Sequence, residues 1–590
     1  MRALAWIYTF LFLFALSCNR PYDPAPVDVK PATADARLQK LFAEYWELRM
    51  QESPTRATYL GDHRYDDRLD DLSETARVVG INRRKAMLKQ LDAIDLAQAS
   101  AADRLSASIF RRVLNDNIEA AELPGHLMPI NQQEGPHITL PLLRLSQPMD
   151  SEAACRKYAA RLAAFPEQVD QAIGQMREGM KRGIVAPKII IEKALPPIEA
   201  QISDDSRKSE LYQTYVQKRS AAAASPALDE AMATATGRAI DGYKRLRQFL
   251  RNEYLPACTE TVGIGRLPGG KQWYAAAARL HTTTNKTPQE LHQLGLDEVK
   301  RINGEMRRIM DKEGFKGTVA EFCEQLRNRP DQHFNSAPEM MSEFAAVLVR
   351  SDANLPTIFG HLPKARYEVK EMEAFRAPAA PAAYYYQAPD VGARPAYFYV
   401  NTYQPEKRPR FTMEALAYHE AMPGHHLQIS LAQENKSLPE FRRHADFTVF
   451  IEGWGLYSEC LGKELGGYRD EYQEFGRQTF DAWRACRLVV DTGMHDMGWT
   501  RQQAIDFMKA NTSLAQLDIE SEIDRYIAWP GQALAYKVGQ LEIMRMRKES
   551  EQALGPKFDL RNFHDELLAE GAVPLDITQQ RMKAWLERQK

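Results

Sequence analysis

Two histidines six residues apart, with a proline and a glycine between them, constrain this chain more than any other feature. The stretch from Phe411 to Ser430, FTMEALAYHEAMPGHHLQIS, holds His419, Glu420, His425 and His426, out of 13 histidines in 590 residues. Phe411, Leu416 and Tyr418 supply the apolar run of a buried helix. A histidine followed at once by a glutamate is the first half of the zinc-hydrolase helix, in which the imidazole is a ligand and the carboxylate a general base. The second ligand normally follows three or four residues later, on the same helix face. Here the next histidines come six and seven residues on. At roughly 100° per residue, six residues turn through about 600°, well off that face. Proline removes the N–H that would bond back to the His419 carbonyl, and glycine permits unusual dihedrals. Pro423-Gly424 is therefore expected to widen one helical turn and swing His425 back beside His419, in the manner of helix bulges at functional sites. His426 is the competing ligand. At about 700° it returns nearly to the face, but one turn too far along the axis.

Catalytic zinc takes three protein ligands and keeps one position open. The segment from Phe447 to Glu459, FTVFIEGWGLYSE, is apolar and helix-compatible, with Glu452 and Glu459 seven apart and so on nearly one face. A buried carboxylate in that setting is costly unless paired or metal-bound. Glu452 opens a Glu-Gly-aromatic-small pattern that resembles the third-ligand segment of gluzincin-type zinc peptidases, and the resemblance implies Glu452 as third ligand, with Glu459 better placed to orient a histidine from behind.

The segments HEAMPGHHLQ, EGWGLYSE, RLVVDTGMH and RYIAWPGQALAYKVG resemble the bacterial domain-of-unknown-function family 885. The resemblance runs from about residue 36 to the C-terminus and is densest after residue 390. It implies a metallopeptidase-like protein related to the gluzincins. More distantly the layout is similar to carboxypeptidase Taq, thimet oligopeptidase and angiotensin-converting enzyme, all largely helical zinc peptidases. The spacing of the second histidine departs from those relatives and leaves the choice between His425 and His426 open. The implied fold is mainly α, a large two-lobed multi-helix structure with a small β-sheet beside the metal helix. The implied cofactor is Zn2+ on His419, His425 and Glu452, with Glu420 as base. By the same resemblance the oxyanion donor is Tyr536, then Tyr526. His495 is a further polar candidate.

Arg394, Arg487 and Lys537 are candidates for holding a substrate carboxylate, which would make a carboxypeptidase or dipeptidase. Asn401, at the end of an aromatic strand, is a further candidate for binding substrate. The leading function is an exported zinc peptidase acting on short peptides. The alternatives are a lipid-anchored peptide- or metal-binding protein of the same fold, and a zinc hydrolase of another amide or ester. Glu420 favours an enzyme, because a binding protein needs no base beside a ligand.

Net charge is −2 with 26% charged residues of both signs, and no basic block appears, which argues against a nucleic-acid partner. Arg2 followed by the apolar run Ala3–Leu16 is too short to span a bilayer and suits a signal peptide. Ala15-Leu-Ser-Cys18 is similar to a bacterial lipoprotein box, so the only membrane contact expected is a lipid on Cys18. Residues 1–17 then read as signal peptide and 18–35 as a proline-rich tether. Residues 36–360 read as an N-terminal helical lobe and 361–590 as the zinc-binding lobe, since the length exceeds one core. The five cysteines after Cys18 are scattered and are expected to be free thiols.

Helix starts are well marked at Thr287-Pro-Gln-Glu290, Ser336-Ala-Pro-Glu339 and Thr500-Arg-Gln-Gln503. Strand character is confined to about 366–402, in Arg366–Glu371 and Ala396–Asn401, separated by a proline-rich segment ending in three tyrosines. Two or three short strands are expected there. One would form an edge for an extended peptide.

Overall fold

The computed structural model describes residues 33–372, 377, 381–390 and 394–590. The signal segment, Cys18 and most of the tether lie outside the described residues. Helices that bear on the site are α1 (Ala34–Glu52), α2 (Pro54–Leu60), α3 (Glu152–Lys181), α4 (Pro226–Phe249), α5 (Pro288–Lys312), α6 (Ala337–Asn354), α7 (Met413–Glu420), α8 (His425–Glu434), α9 (Thr448–Cys460), α10 (Glu471–His495), α11 (Gln516–Ala528) and α12 (Ala535–Leu554). The fold is mainly α. No helix among the described residues is long and apolar enough to cross a membrane.

Local sequence accounts for the helix starts. At the head of α5 the Thr287 hydroxyl accepts from Glu290 N–H and the Glu290 carboxylate accepts from Thr287 N–H. Thr500 and Gln503 do the same for the helix Arg501–Asn511. Each reciprocal cap satisfies donors that a helix start otherwise leaves unpaired. Ser336 accepts from Glu339 N–H at the start of α6.

The one described sheet has three strands, β1 (Tyr367–Glu371), β2 (Ala383–Tyr386) and β3 (Ala396–Val400), in the order β1-β3-β2. β1 runs parallel to β3, pairing Val369 with Phe398, and β2 runs antiparallel to it, pairing Tyr385 with Phe398. β2 is built from the tyrosines at the end of the proline-rich segment and forms one edge of the sheet.

The apolar core does not divide at residue 360. Leu38, Phe42 and Phe110 share one core with Phe398, Phe441, Trp454 and Trp585. Phe42 and Phe441 meet ring to ring at 5.0 Å. A second core lies between α3 and α4, where Phe165 packs on Tyr243 at 4.6 Å. The helix α9, which carries Glu452, lies against α12 at backbone contact. A Cβ on Gly453 would fall 2.5 Å from the Gly539 Cα, so only glycine at both positions allows that approach. All five cysteines among the described residues are free, and Cys155, Cys323 and Cys486 are buried.

Candidate metal centre

The expected bulge is a full break. α7 ends at Glu420 and α8 starts at His425, with a turn over residues 421–424 between them. A bond from His426 N–H to the Ala421 carbonyl, 3.2 Å, closes a five-residue step where a regular helix would make four. The break shows in the backbone, which leaves helical dihedrals at Ala421 (ψ −118°) and Gly424 (ψ −127°) on either side of that wide turn. Gly424 is the residue that permits it. A Cβ there would sit 1.9 Å from the His419 carbonyl oxygen and 2.3 Å from that of Tyr418. The turn's own carbonyls are occupied. Pro423 O accepts from the Trp454 indole at 2.8 Å, and Met422 O from the Ser351 hydroxyl at 3.2 Å.

The break brings His419 and His425 ring to ring, centroids 4.8 Å apart and nearly perpendicular. Glu452 completes the group. Its Oε2 lies 3.4 Å from His419 Nε2 and 3.5 Å from His425 Nε2. One ligand atom from each of the three lies within 4.8 Å of the others, and this is one of two such groups of at least three metal-type residues among the described residues. The other, Asp390, Glu440 and His444, has Arg443 bonded to both carboxylates and is an ion-pair network.

Three observations fit the first group to a divalent ion. Glu452 Oε2 is buried and has no hydrogen-bond partner, a costly state for a carboxylate oxygen. Space is kept clear around the imidazoles, because a Cβ on Gly455 would lie 2.9 Å from His419 Cε1 and 3.1 Å from His425 Cε1. The set of two imidazoles and a carboxylate is that of a catalytic zinc site. The electrostatics agree. Burial opposes charge on His419, yet Glu452 and Glu459 push its pKa up to about 9. Burial likewise opposes ionisation of Glu452, and His425 and His419 still hold it well below its ordinary range. The pocket favours positive charge at its centre.

A second layer orients the first. Glu459 Oε1 accepts from His419 Nδ1 at 2.9 Å and lies 3.4 Å from Arg484. The two acids seven apart on α9 thus bracket one imidazole, fixing Nε2 as its free nitrogen. His426 is turned away. Its Nδ1 lies 3.1 Å from the Tyr385 hydroxyl, its Nε2 3.1 Å from Ala365 O, and its pKa is lowered to about 4 by burial. Both ring nitrogens are committed.

Glu420 is half-buried beside the group. Its Oε2 accepts the Tyr385 N–H of β2 at 2.9 Å. Burial raises its pKa, His425 and His419 oppose the rise, and Glu452 adds to it. The outer edge of β2 therefore passes directly in front of this carboxylate.

The remaining sequence candidates separate into two sets. Tyr536 stacks nearly parallel to His419 at 6.5 Å, and Arg487 lies 4.2 Å over the Tyr536 ring. Burial and the neighbouring Glu452 raise the Tyr536 pKa, against Arg487 and Arg525. Arg487 Nε donates to Tyr526 OH at 2.7 Å and Nη2 to Glu522, while Nη1 is buried without a partner. Arg394 stacks on Tyr386 and donates to Gln387 O just past the end of β2.

The other four are committed to interior partners. Tyr526 OH accepts from Trp483 and Arg487 and donates to Glu522, which puts it a layer behind Tyr536. His495 accepts from Ile264 N–H and donates to Tyr526 O, a pillar between backbones. Lys537 is fully buried on Asp481, Gln540 and Glu298. Asn401 is fully buried and ties Ala377 O, Pro381 O and Tyr403 N–H. A buried polar group must find such partners, and these have found theirs away from the site. Sequence reading did not single out Tyr385, Trp454, Gly455 or Arg484. Only Gly455 left a trace, as the second glycine in Glu452-Gly-Trp-Gly455.

The family model described as "Bacterial protein of unknown function (DUF885)" matches residues 54–582. Among solved structures, one from Colwellia psychrerythraea is 27% identical, covers 94% of this chain and 100% of its own, and superposes with a TM-score of 0.89. One from Shewanella oneidensis is 19% identical with the same coverage and a TM-score of 0.73, a likeness of fold. Each is described as a "putative lipoprotein", the second of unknown function. No curated protein matches the chain.

Proposed function

The chain belongs to the DUF885 family of bacterial proteins, and we propose that this member is an exported zinc-dependent peptidase acting on short peptides. The observation that carries the proposal is the convergence of His419 Nε2, His425 Nε2 and the unpartnered Glu452 Oε2, with the carboxylate of Glu420 alongside. A zinc ion held by these three residues supplies Lewis acidity and an acidified water.

The protein's own groups account for the rest. Glu420 takes the proton of the attacking water and returns it to the leaving amine, and burial has already lifted its pKa toward that duty. Its bond to Tyr385 N–H aims the carboxylate at the β2 edge. That edge offers outward backbone groups to an extended peptide, which places a carbonyl in front of Glu420. Tyr536 stands over His419 with its ring held under Arg487 and is the donor for developing negative charge on the carbonyl oxygen. The lipoprotein descriptions of the two solved relatives support export and a lipid on Cys18.

The test is digestion of a complex peptide mixture by purified protein, with and without chelator, read by mass spectrometry. Zinc-dependent cleavage is expected at about one zinc per chain. Glu420→Gln should keep the metal and lose about 10²–10⁴-fold in turnover, whereas Glu452→Ala should lose the metal. Near-normal turnover in Glu420→Gln would sink the mechanism.

A further inference from the structure

The turn Trp529-Pro530-Gly531 that follows α11 is tightly held. Gly531 takes a left-handed φ of 83°, and its N–H donates to Asp491 Oδ1 at 3.1 Å. The turn feeds the short helix Gln532–Leu534 that leads into α12, and so sets Gln532 about one turn before Tyr536. Gln532 touches two groups there. Its Oε1 accepts from Arg525 Nη1 at 2.8 Å, and its side chain hydrogen-bonds the Tyr536 hydroxyl. Arg525 is fixed in turn by Glu522, to which it donates from Nε at 3.3 Å and from Nη2 at 2.9 Å. Glu522 Oε2 also accepts from Arg487 at 3.0 Å and from Tyr526 OH at 2.6 Å. One carboxylate thus anchors both the guanidinium over the Tyr536 ring and the guanidinium beside Gln532.

The donors dictate the sense of this chain. A guanidinium can only donate. The Gln532 amide must therefore turn its oxygen to Arg525, which leaves its NH2 for Tyr536. A phenol that accepts from an amide through a lone pair keeps its single proton for another acceptor. Tyr536 is half-buried, with its ring 6.5 Å from that of His419. Glu452 acts on its hydroxyl through space and raises its pKa, which puts the hydroxyl on the metal side.

We propose that Gln532 is the positioning residue of the oxyanion donor: by donating to the Tyr536 oxygen it leaves the Tyr536 proton to point at the carbonyl of the bound peptide. Glu522 and Arg525 fix which end of the amide faces the tyrosine. The inference rests on the peptidase reading above and adds to it the group that sets the direction of its oxyanion donor.

Gln532→Glu inverts the polarity in a side chain of the same shape. A carboxylate only accepts, so it keeps the bond to Arg525 and takes the Tyr536 proton for itself. A role confined to holding the turn would survive that change. The experiment measures kcat and KM on one peptide that the zinc-loaded wild type cleaves. The proteins are wild type, Gln532→Glu, Gln532→Leu, Tyr536→Phe and Tyr536→Phe with Gln532→Glu, each with zinc content and melting temperature. Gln532→Glu should bind zinc, keep KM within about threefold and lose about 10²–10³-fold in kcat, the usual cost of an oxyanion donor. Added to Tyr536→Phe, it should cost no more than about threefold, because the donor it disables is already gone. Gln532→Leu frees the proton without capturing it and should lose less kcat than Gln532→Glu. Wild-type kcat in Gln532→Glu, an equal loss in both backgrounds, or the reverse order of Leu and Glu overturns the relay and leaves the peptidase standing. A Tyr536→Phe protein as fast as wild type removes the donor and the relay with it, and leaves zinc-dependent cleavage. A zinc-loaded wild type that cleaves no peptide overturns the peptidase reading as well.

Discussion

The indole Nε1 of Trp454 donates to the carbonyl of Pro423 across 2.8 Å, and so ties the helix that bears Glu452 to the break that separates His419 from His425. The bond links the helix carrying Glu452 to the turn that sets His419 against His425. Ser458 reaches the same carbonyl at 3.4 Å from one turn further along α9.

Replacing Trp454 by phenylalanine keeps most of the apolar volume and removes the donor. The carbonyl of the buried Pro423 then keeps only the long contact to Ser458. A stability loss of about 1–3 kcal/mol is expected in urea melts. Zinc affinity should fall about 10–100-fold, the usual effect of losing a group that orients ligands. Unchanged zinc affinity in a destabilised Trp454→Phe protein would show that the break holds its shape unaided.

The break itself is tested by Gly424→Ala. The added methyl has no room against the His419 and Tyr418 carbonyls, at 1.9 and 2.3 Å. Neither neighbour is the movable end of a side chain. His425 should be displaced, and zinc binding should weaken at least 100-fold by competition with a chromophoric chelator. His425→Ala and His426→Ala separate the two histidines in the same titration. The first should lose the metal. The second should keep it and lose stability, because His426 braces Tyr385 and Ala365.

Much of this was legible in the residues. The Thr287 and Thr500 caps are written in side chains within one turn of each other, so they appear in the structure as the sequence implies. The pairing of His419 with His425 was legible because Pro423 and Gly424 sit where a regular helix would fail. Its form was not. A bulge and a break have the same local chemistry, and what decides between them is the hold of Trp454 and Ser351 on the turn, contacts 31 and 71 residues away. β2 was hidden for a similar reason. Three tyrosines after prolines carry no alternation, and the strand exists because β3 pairs with it. Tyr526, His495, Lys537 and Asn401 bear the right functional groups, but a side chain's commitment to a distant buried partner has no sequence signature.

Asp491 supplies a pH prediction. It is fully buried, accepts from the Tyr274 hydroxyl at 2.5 Å and from Gly531 N–H at 3.1 Å, and burial lifts its pKa to about 7 despite those donors. In the unfolded chain it titrates near 4. Between those values the folded protein holds a proton that the unfolded chain has released, so stability falls as pH rises through the window. The slope from this group is at most about 1.4 kcal/mol per pH unit. Asp491→Asn has no such proton. Measured against it at pH 5 and pH 7, wild type should lose about 1–3 kcal/mol relative to the variant. A constant difference between the two proteins would contradict the shifted carboxyl.

Export is tested at Cys18. Metabolic labelling should place lipid on the mature protein and fractionation should place it with the cell envelope. Cys18→Ala should abolish both. A lipid-free protein released in soluble form from the wild-type gene would remove the anchor from the account and leave export alone.

The two glycines of Glu452-Gly-Trp-Gly455 give the most specific test, because they lie on the same helix and face different neighbours. A methyl on Gly453 meets the backbone of α12, with Gly539 Cα at 2.5 Å. It should force α9 and α12 apart and cost about 1–3 kcal/mol or more in stability, as overpacking of close contacts does. The atoms nearest a methyl on Gly455 belong to side chains. The methyl meets His419 Cε1 and Nε2 at 2.9 and 3.0 Å and His425 Cε1 at 3.1 Å, two imidazoles at the ends of side chains that can rotate away. Gly455→Ala should therefore melt within a few degrees of wild type and bind zinc at least tenfold more weakly. Gly453→Ala should show the opposite balance, a large drop in melting temperature with zinc still bound at low temperature. If Gly455→Ala binds zinc as tightly as wild type, the imidazoles do not need the space that this glycine leaves, and the ion does not sit between them.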